Sequence, residues 1–163
     1  PVIFEEHKGL YRAPSLREVL PDEDYIVPLG EARIVREGTD ITIVTYGAMV
    51  HKSVEAAEMM ETEDGVSVEV VDLRTLLPLD EDAIVESVKK TNKLLVVHED
   101  TRTGGIAGEI AIRVSEKAFE WLDGPILRVT AIDAPVPYSG SLEDYFLPQT
   151  DDVLKAARYL AAY

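Results

Sequence analysis

The sequence predicts an α/β three-layer sandwich built on a mainly parallel sheet, and two features carry that reading. The first is alternation. Apolar, β-branched runs at residues 41–46, 66–71, 93–98 and 126–132 alternate with amphipathic stretches at 49–63, 81–91, 106–122 and 151–163. Strands that are apolar almost without interruption belong to sheets covered on both faces, and strand–helix alternation supplies the covering helices. The second is the odd strand out. Residues 31–36 alternate polar and apolar, as a half-exposed edge strand does, and are placed as an antiparallel edge.

The elements follow in order. Residues 2–5 read as a short strand. Residues 8–28 show no period and carry Pro14, Pro21, Pro28 and the acidic cluster Asp22, Glu23, Asp24. So long an irregular stretch is unusual inside one compact domain and is placed as a surface linker. The domain boundary is set near Pro28, giving 1–28 as a preceding strand plus linker and 29–163 as the domain. Glu37, Gly38, Thr39 and Asp40 are turn residues before the strand at 41–46. Gly47 ends that strand, and the helix at 49–63 places Val50, Val54, Ala57 and Met60 at helical spacing before the stop at Asp64 and Gly65. After the strand at 66–71, Asp80 is an N-cap, Glu81 and Asp82 favour a helix start, and Lys89 and Lys90 suit its last turn. Gly104 and Gly105 open the helix at 106–122. Residues 134–148, rich in proline and aromatics, are read as a loop before a last helix from Asp151 to Tyr163.

Bulk properties narrow the function classes. The 163 residues suffice for one domain with a core. No apolar run is long enough for a transmembrane helix, and no leader pattern stands at the start. The chain opens on Pro1, as expected of a processed chain or a piece of a longer one. Cysteine is absent, which excludes disulfides and cysteine nucleophiles and fits an intracellular protein. The three histidines, His7, His51 and His98, have no zinc-ligand spacing. A formal net charge of −15 repels nucleic acid and anionic membranes and favours a basic protein partner, although solubility alone accounts for acidity as well.

Ligands of open α/β sheets sit at the carboxyl ends of strands. Those ends offer Tyr46, the Asp72–Leu73–Arg74 triplet, His98–Glu99–Asp100 and Asp133. His98 beside two carboxylates resembles an acid–base cluster. Neighbouring strand residues point to opposite faces, however, so Glu99 does not serve His98, and a structural or interface histidine is the plainer reading. Asp72 and Arg74 suit a structural ion pair or a contact between subunits better than a substrate clamp, since no nucleophile or metal ligand accompanies them. The glycine pair is read as backbone relief rather than an anion site, because neither GxGxxG nor a P-loop is present. No complete catalytic constellation emerges, and the residues alone point to an assembly or partner-binding domain of a larger enzyme.

Several stretches together resemble one family. They are Pro1 to Lys8 with Leu10, Tyr11 and Arg12; residues 26–32; the run ending Thr45-Tyr46-Gly47-Ala48-Met49-Val50; residues 68–80; His98-Glu99 with Thr103-Gly104-Gly105; Leu122-Asp123-Gly124-Pro125; and Asp133-Ala134-Pro135-Val136-Pro137-Tyr138 with Leu147-Pro148. In order and spacing they resemble the C-terminal part of the beta subunit of 2-oxo acid dehydrogenase decarboxylase components. The His98 to Gly105 version is nearer to branched-chain or general 2-oxo acid types than to animal pyruvate types.

The resemblance implies a transketolase C-terminal-like domain, an α/β/α sandwich with a five-stranded mixed sheet. The parent enzyme would use thiamine diphosphate and magnesium to decarboxylate a 2-oxo acid and pass the acyl group to a lipoyl arm, as an alpha-two, beta-two heterotetramer in the cytoplasm, or in the mitochondrial matrix of a eukaryote. The family's cofactor-contacting residues lie in the pyrimidine-binding domain, of which only the last strand is expected here. This chain is therefore expected to bind no cofactor and to be inactive alone. Its expected partners are the alpha subunit, a second beta subunit and the basic subunit-binding domain of the acyltransferase. By resemblance, Asp123 and Tyr163 belong to the surface that meets that last partner. The alternatives are the same domain from a transketolase or deoxyxylulose-phosphate synthase, or a free-standing interaction module.

Overall fold

The computed structural model describes residues 3–17, 19 and 21–163. Five strands form one sheet: β1 (Arg33–Arg36), β2 (Ile41–Thr45), β3 (Val68–Asp72), β4 (Leu94–Thr101) and β5 (Leu127–Ala131). Their order is β1-β3-β2-β4-β5, with β1 antiparallel to β3 and every other pair parallel. The mixed sheet with an antiparallel edge is the architecture expected from the sequence.

The helices are α1 (Met49–Met59), α2 (Glu81–Thr91), α3 (Ile106–Ala118), α4 (Gly140–Phe146) and α5 (Thr150–Ala161). Side chains alternate across each strand, so the central strands β2, β3 and β4 feed two cores. Ile41, Ile43, Val68, Val70, Leu95 and Val97 pack with Ala56, Ala57 and Met60 of the α1 region and with Val153, Ala157 and Leu160 of α5. Val44, Val71, Leu94 and Val96 pack on the other face with Ile84 and Val88 of α2 and with Ile110 and Val114 of α3. This two-sided burial is why every residue of β2 is buried.

Several boundaries differ from the sequence reading, among them the helix read at 106–122, which ends as an α-helix at Ala118 and closes in a 3-10 turn, Phe119–Trp121. Residues 3–5 form no strand, and Val2 lies outside the described residues. The linker instead carries two short 3-10 turns, Lys8–Arg12 and Pro14–Leu16, with proline at the start of the second. The helix at 49–63 ends its α-helical part at Met59 and continues as a π-turn, Met60–Asp64, closed by Gly65 in the left-handed conformation. The loop at 134–148 contains α4: six of its seven residues are exposed, and Phe146 anchors it in the core. A helix with one buried residue has no apolar period to read. β4 also extends past its apolar run to Thr101, so Glu99 and Asp100, beside His98, lie inside the strand rather than beyond it.

Candidate functional sites at the two ends of the sheet

β2 leaves the sheet toward α1 on one face, and β4 leaves toward α3 on the other. Their carboxyl ends therefore diverge into the crevice where open α/β domains hold ligands. Tyr46 follows β2 and stacks on His98 of β4, ring centroids 6.3 Å apart and planes 26° from parallel. Partial burial, helped by the charges of Asp100 and Glu99, pushes the Tyr46 hydroxyl up to about 12, so the phenol stays protonated near neutrality. His98 is fully buried; its Nε2 accepts the backbone N–H of Ala107 at 3.4 Å, while among the described residues its Nδ1 has no partner. Burial holds its imidazole below the usual range.

The carboxylates at this end are taken up locally. Glu99 turns away from His98, as strand alternation requires, and meets His7 at 3.1 Å. Asp133 accepts both the backbone N–H and the hydroxyl of Thr103, at 2.8 and 2.7 Å, and these bonds keep its carboxyl below the usual value. Asp72 accepts the backbone N–H of Arg74 at 3.1 Å. Burial nonetheless raises its carboxyl, against the opposing effects of Arg74, Arg33 and His51. The expected Asp72–Arg74 side-chain ion pair takes another form. Arg74 sits at φ 55, which folds its amide back onto Asp72, and its guanidinium donates to the Tyr25 hydroxyl at 3.3 Å.

Gly104 has φ +83, in line with backbone relief. Gly105 serves a different purpose: a Cβ there would lie 2.5 Å from the Thr101 carbonyl oxygen and 2.6 Å from His98 Cε1. Only glycine lets α3 start this close to β4. Asp80 does two jobs. One carboxylate oxygen caps α2 by accepting from Ala83 at 3.1 Å, and the other accepts the Ala32 amide at 2.7 Å, tying the entering chain to the α2 start.

The opposite, amino end of the sheet is built otherwise. Asn92 closes α2 with φ 61, donates its side-chain amide to the Trp121 carbonyl at 2.7 Å, and accepts the Asp123 N–H on its own carbonyl at 2.8 Å. The turn at 121–124 is thereby fixed with Asp123 exposed. A Cβ on Gly124 would meet Tyr163 Cβ at 3.2 Å, so this turn and the chain's last residue are neighbours. Tyr163 is exposed and packs edge-on against Tyr159, centroids 5.5 Å apart, with the hydroxyls 2.9 Å apart. The structure thus places the two candidate partner residues, Asp123 and Tyr163, on one patch, at the end of the sheet away from Asp72, Arg74 and His98.

A buried network between β3 and α2 escaped sequence reasoning. Glu69 has 0 % exposure; it accepts from the Ser87 hydroxyl at 2.5 Å and pairs with Lys90, which also reaches Glu37 at 3.1 Å. Thr42 links the network to Ser87 and Thr91 at 2.7 and 2.6 Å. The one available signal was a charged residue in an otherwise apolar strand, Val68-Glu69-Val70-Val71.

The arrangement defines an open α/β domain whose carboxyl-end polar groups are largely engaged by their own backbone and neighbours, and whose other end presents an acidic and aromatic patch. The chain belongs to the transketolase C-terminal domain family, which it matches over residues 30–153. It is 48% identical over 158 residues to the pyruvate dehydrogenase E1 component subunit beta of Bacillus subtilis, across 97% of this chain and 47% of that protein. It is 46% identical over 164 residues to the 2-oxoisovalerate dehydrogenase subunit beta of the same organism, across 100% of this chain and 49% of that protein. The chain thus spans about half the length of these curated relatives. Among solved structures it resembles a split-gene transketolase determined as an inactive beta4 tetramer, with TM-score 0.74 and 29% identity over 90% of this chain and 46% of that one. It shares the fold of a 2-oxoglutarate:ferredoxin oxidoreductase from Magnetococcus marinus, with TM-score 0.52 and 14% identity over 80% of this chain and 19% of that one.

Proposed function

We propose that this chain is the C-terminal assembly and partner-binding domain of the beta subunit of a thiamine diphosphate-dependent 2-oxo acid dehydrogenase. The observation that carries the reading is identity of 46% or more, along essentially the whole chain, to beta subunits acting in pyruvate and in 2-oxoisovalerate dehydrogenases. A transketolase origin is the second reading, supported by the split-gene transketolase at 29% identity. The domain begins near residue 29. The family match starts at residue 30, and the sheet starts at Arg33 after a linker whose described residues are mostly exposed.

The chain's own donors do not fit a magnesium diphosphate. Among the described residues, no three His, Asp or Glu side chains converge. Asp72, Glu99 and Asp133 are each engaged within the chain. Thiamine diphosphate and magnesium belong, in this reading, to other parts of the assembled enzyme, and the chain contributes contacts to an alpha subunit, a second beta subunit and a basic subunit-binding domain. Asp123 and Tyr163 form the last of these surfaces, and the net charge of −15 steers a basic partner toward the chain. Among the described residues no helix is long and apolar enough to cross a membrane. The bacterial relatives support a cytoplasmic assembly in a bacterial cell.

The test is a decarboxylation assay with 2-oxo acids. The 163-residue chain alone should give no turnover with cofactor and metal supplied, and the full beta subunit combined with its alpha subunit should give turnover. Turnover by the chain alone would overturn the reading.

A further inference from the structure

His98 takes no part in the proposed docking surface, yet it is fully buried at the start of α3. Gly105, at the N-cap of α3, makes no side-chain cap, and the His98 Nε2 fills that role by accepting from Ala107. An imidazole that accepts at Nε2 carries its hydrogen on Nδ1. A Cβ at Gly105 would lie 2.6 Å from His98 Cε1, so the start of α3 sits directly against the ring.

We propose that His98 is a pH-sensitive latch: neutral, it holds the first turn of α3 and the 101–105 loop in place; protonated, it releases them. Protonation turns Nε2 from acceptor into donor, facing the Ala107 N–H donor. It also sets a cation at the positive end of a helix dipole, in a buried site. These three effects share one sign.

The charged groups around the ring do not cancel them. Asp100 on β4 favours the cation, and Arg128 on β5 opposes it. Glu99 is turned to His7, Tyr46 is held protonated, and Glu109 in the first turn of α3 is paired with Arg113 at 2.7 Å. Burial outweighs Asp100, so the folded imidazole titrates below its ordinary value. For a base depressed by folding, the latch is fully closed above the released-state value of about 6.5 and opens as pH falls from there toward the folded value. Release also loosens Thr103 from Asp133, so the turn after β5 follows.

Hydrogen–deuterium exchange on the full-length protein tests this, with rates corrected for intrinsic pH dependence. Between pH of about 7.5 and about 5.5, protection of amides 106–110 should fall about tenfold, while α2 amides keep theirs. His98→Gln keeps an acceptor without a titratable proton and should flatten the profile. Asp100→Asn, at an exposed site, should move the wild-type midpoint to lower pH, and it tests the latch even where His98→Gln does not fold. A profile that is flat in the wild type, uniform along the chain, or unchanged by both substitutions would overturn the latch.

Discussion

The two ends of the sheet carry the same kinds of residue and use them differently. At the carboxyl end, Asp72 is held by the Arg74 amide two residues on, Glu99 by His7 of the entering chain, and Asp133 by Thr103 of the loop after β4. At the amino end, Asp123 stands exposed on a turn pinned by Asn92, beside an aromatic pair, and no side-chain partner engages it among the described residues. The carboxyl end is where ligands of open α/β domains are found, yet its polar groups are consumed in holding turns. The amino end has the free acid and the free aromatic surface that a basic partner needs.

The Glu69 network also lies toward the amino end, tying β3 to α2, and the largest expected effect comes from breaking it. Lys90→Ala leaves Glu69 buried without its cation and should cost about 3 kcal/mol in chemical unfolding. Replacing both partners, Glu69→Gln with Lys90→Met, should recover most of the loss, because the amide still accepts from Ser87. Equal losses in the single and double variants would mean that the network does not act as a unit.

A smaller effect sharpens the reading of the carboxyl end. Burial raises the Asp72 carboxyl in the folded state, so its ionised form disfavours folding above the unfolded value of about 3.9. Asp72→Asn keeps an acceptor for the Arg74 amide. It should raise stability at neutral pH by less than about 1 kcal/mol, with the gain vanishing below pH of about 3.9. Urea midpoints at two pH values measure this. A loss of stability at neutral pH would show that the charge of Asp72 is used.

Much of this was legible in the sequence, for physical reasons that differ by element. Asp80, Glu81 and Lys90 marked the limits of α2 because caps and dipoles act locally. The apolar runs of β2 and β4 announced a sheet covered on both faces. α4 was hidden because seven residues with one buried anchor make no pattern. The Asp72–Arg74 contact was read as an ion pair because spacing cannot show a left-handed Arg74. The neighbouring of Asp123 and Tyr163 depends on a turn and a terminus 40 residues apart, a distance that only tertiary packing closes. Glu69 is a lone charge in an apolar run, and its role shows only when α2 places Ser87 and Lys90 over it.

The most direct test of the account is calorimetric titration of the full-length protein with an isolated basic subunit-binding domain, comparing wild type with Asp123→Ala at low and high salt. The account predicts binding that weakens with salt and is about tenfold weaker in the variant, a loss of about 1.4 kcal/mol, with unfolding unchanged. Binding that is indifferent to both the substitution and the salt would contradict it.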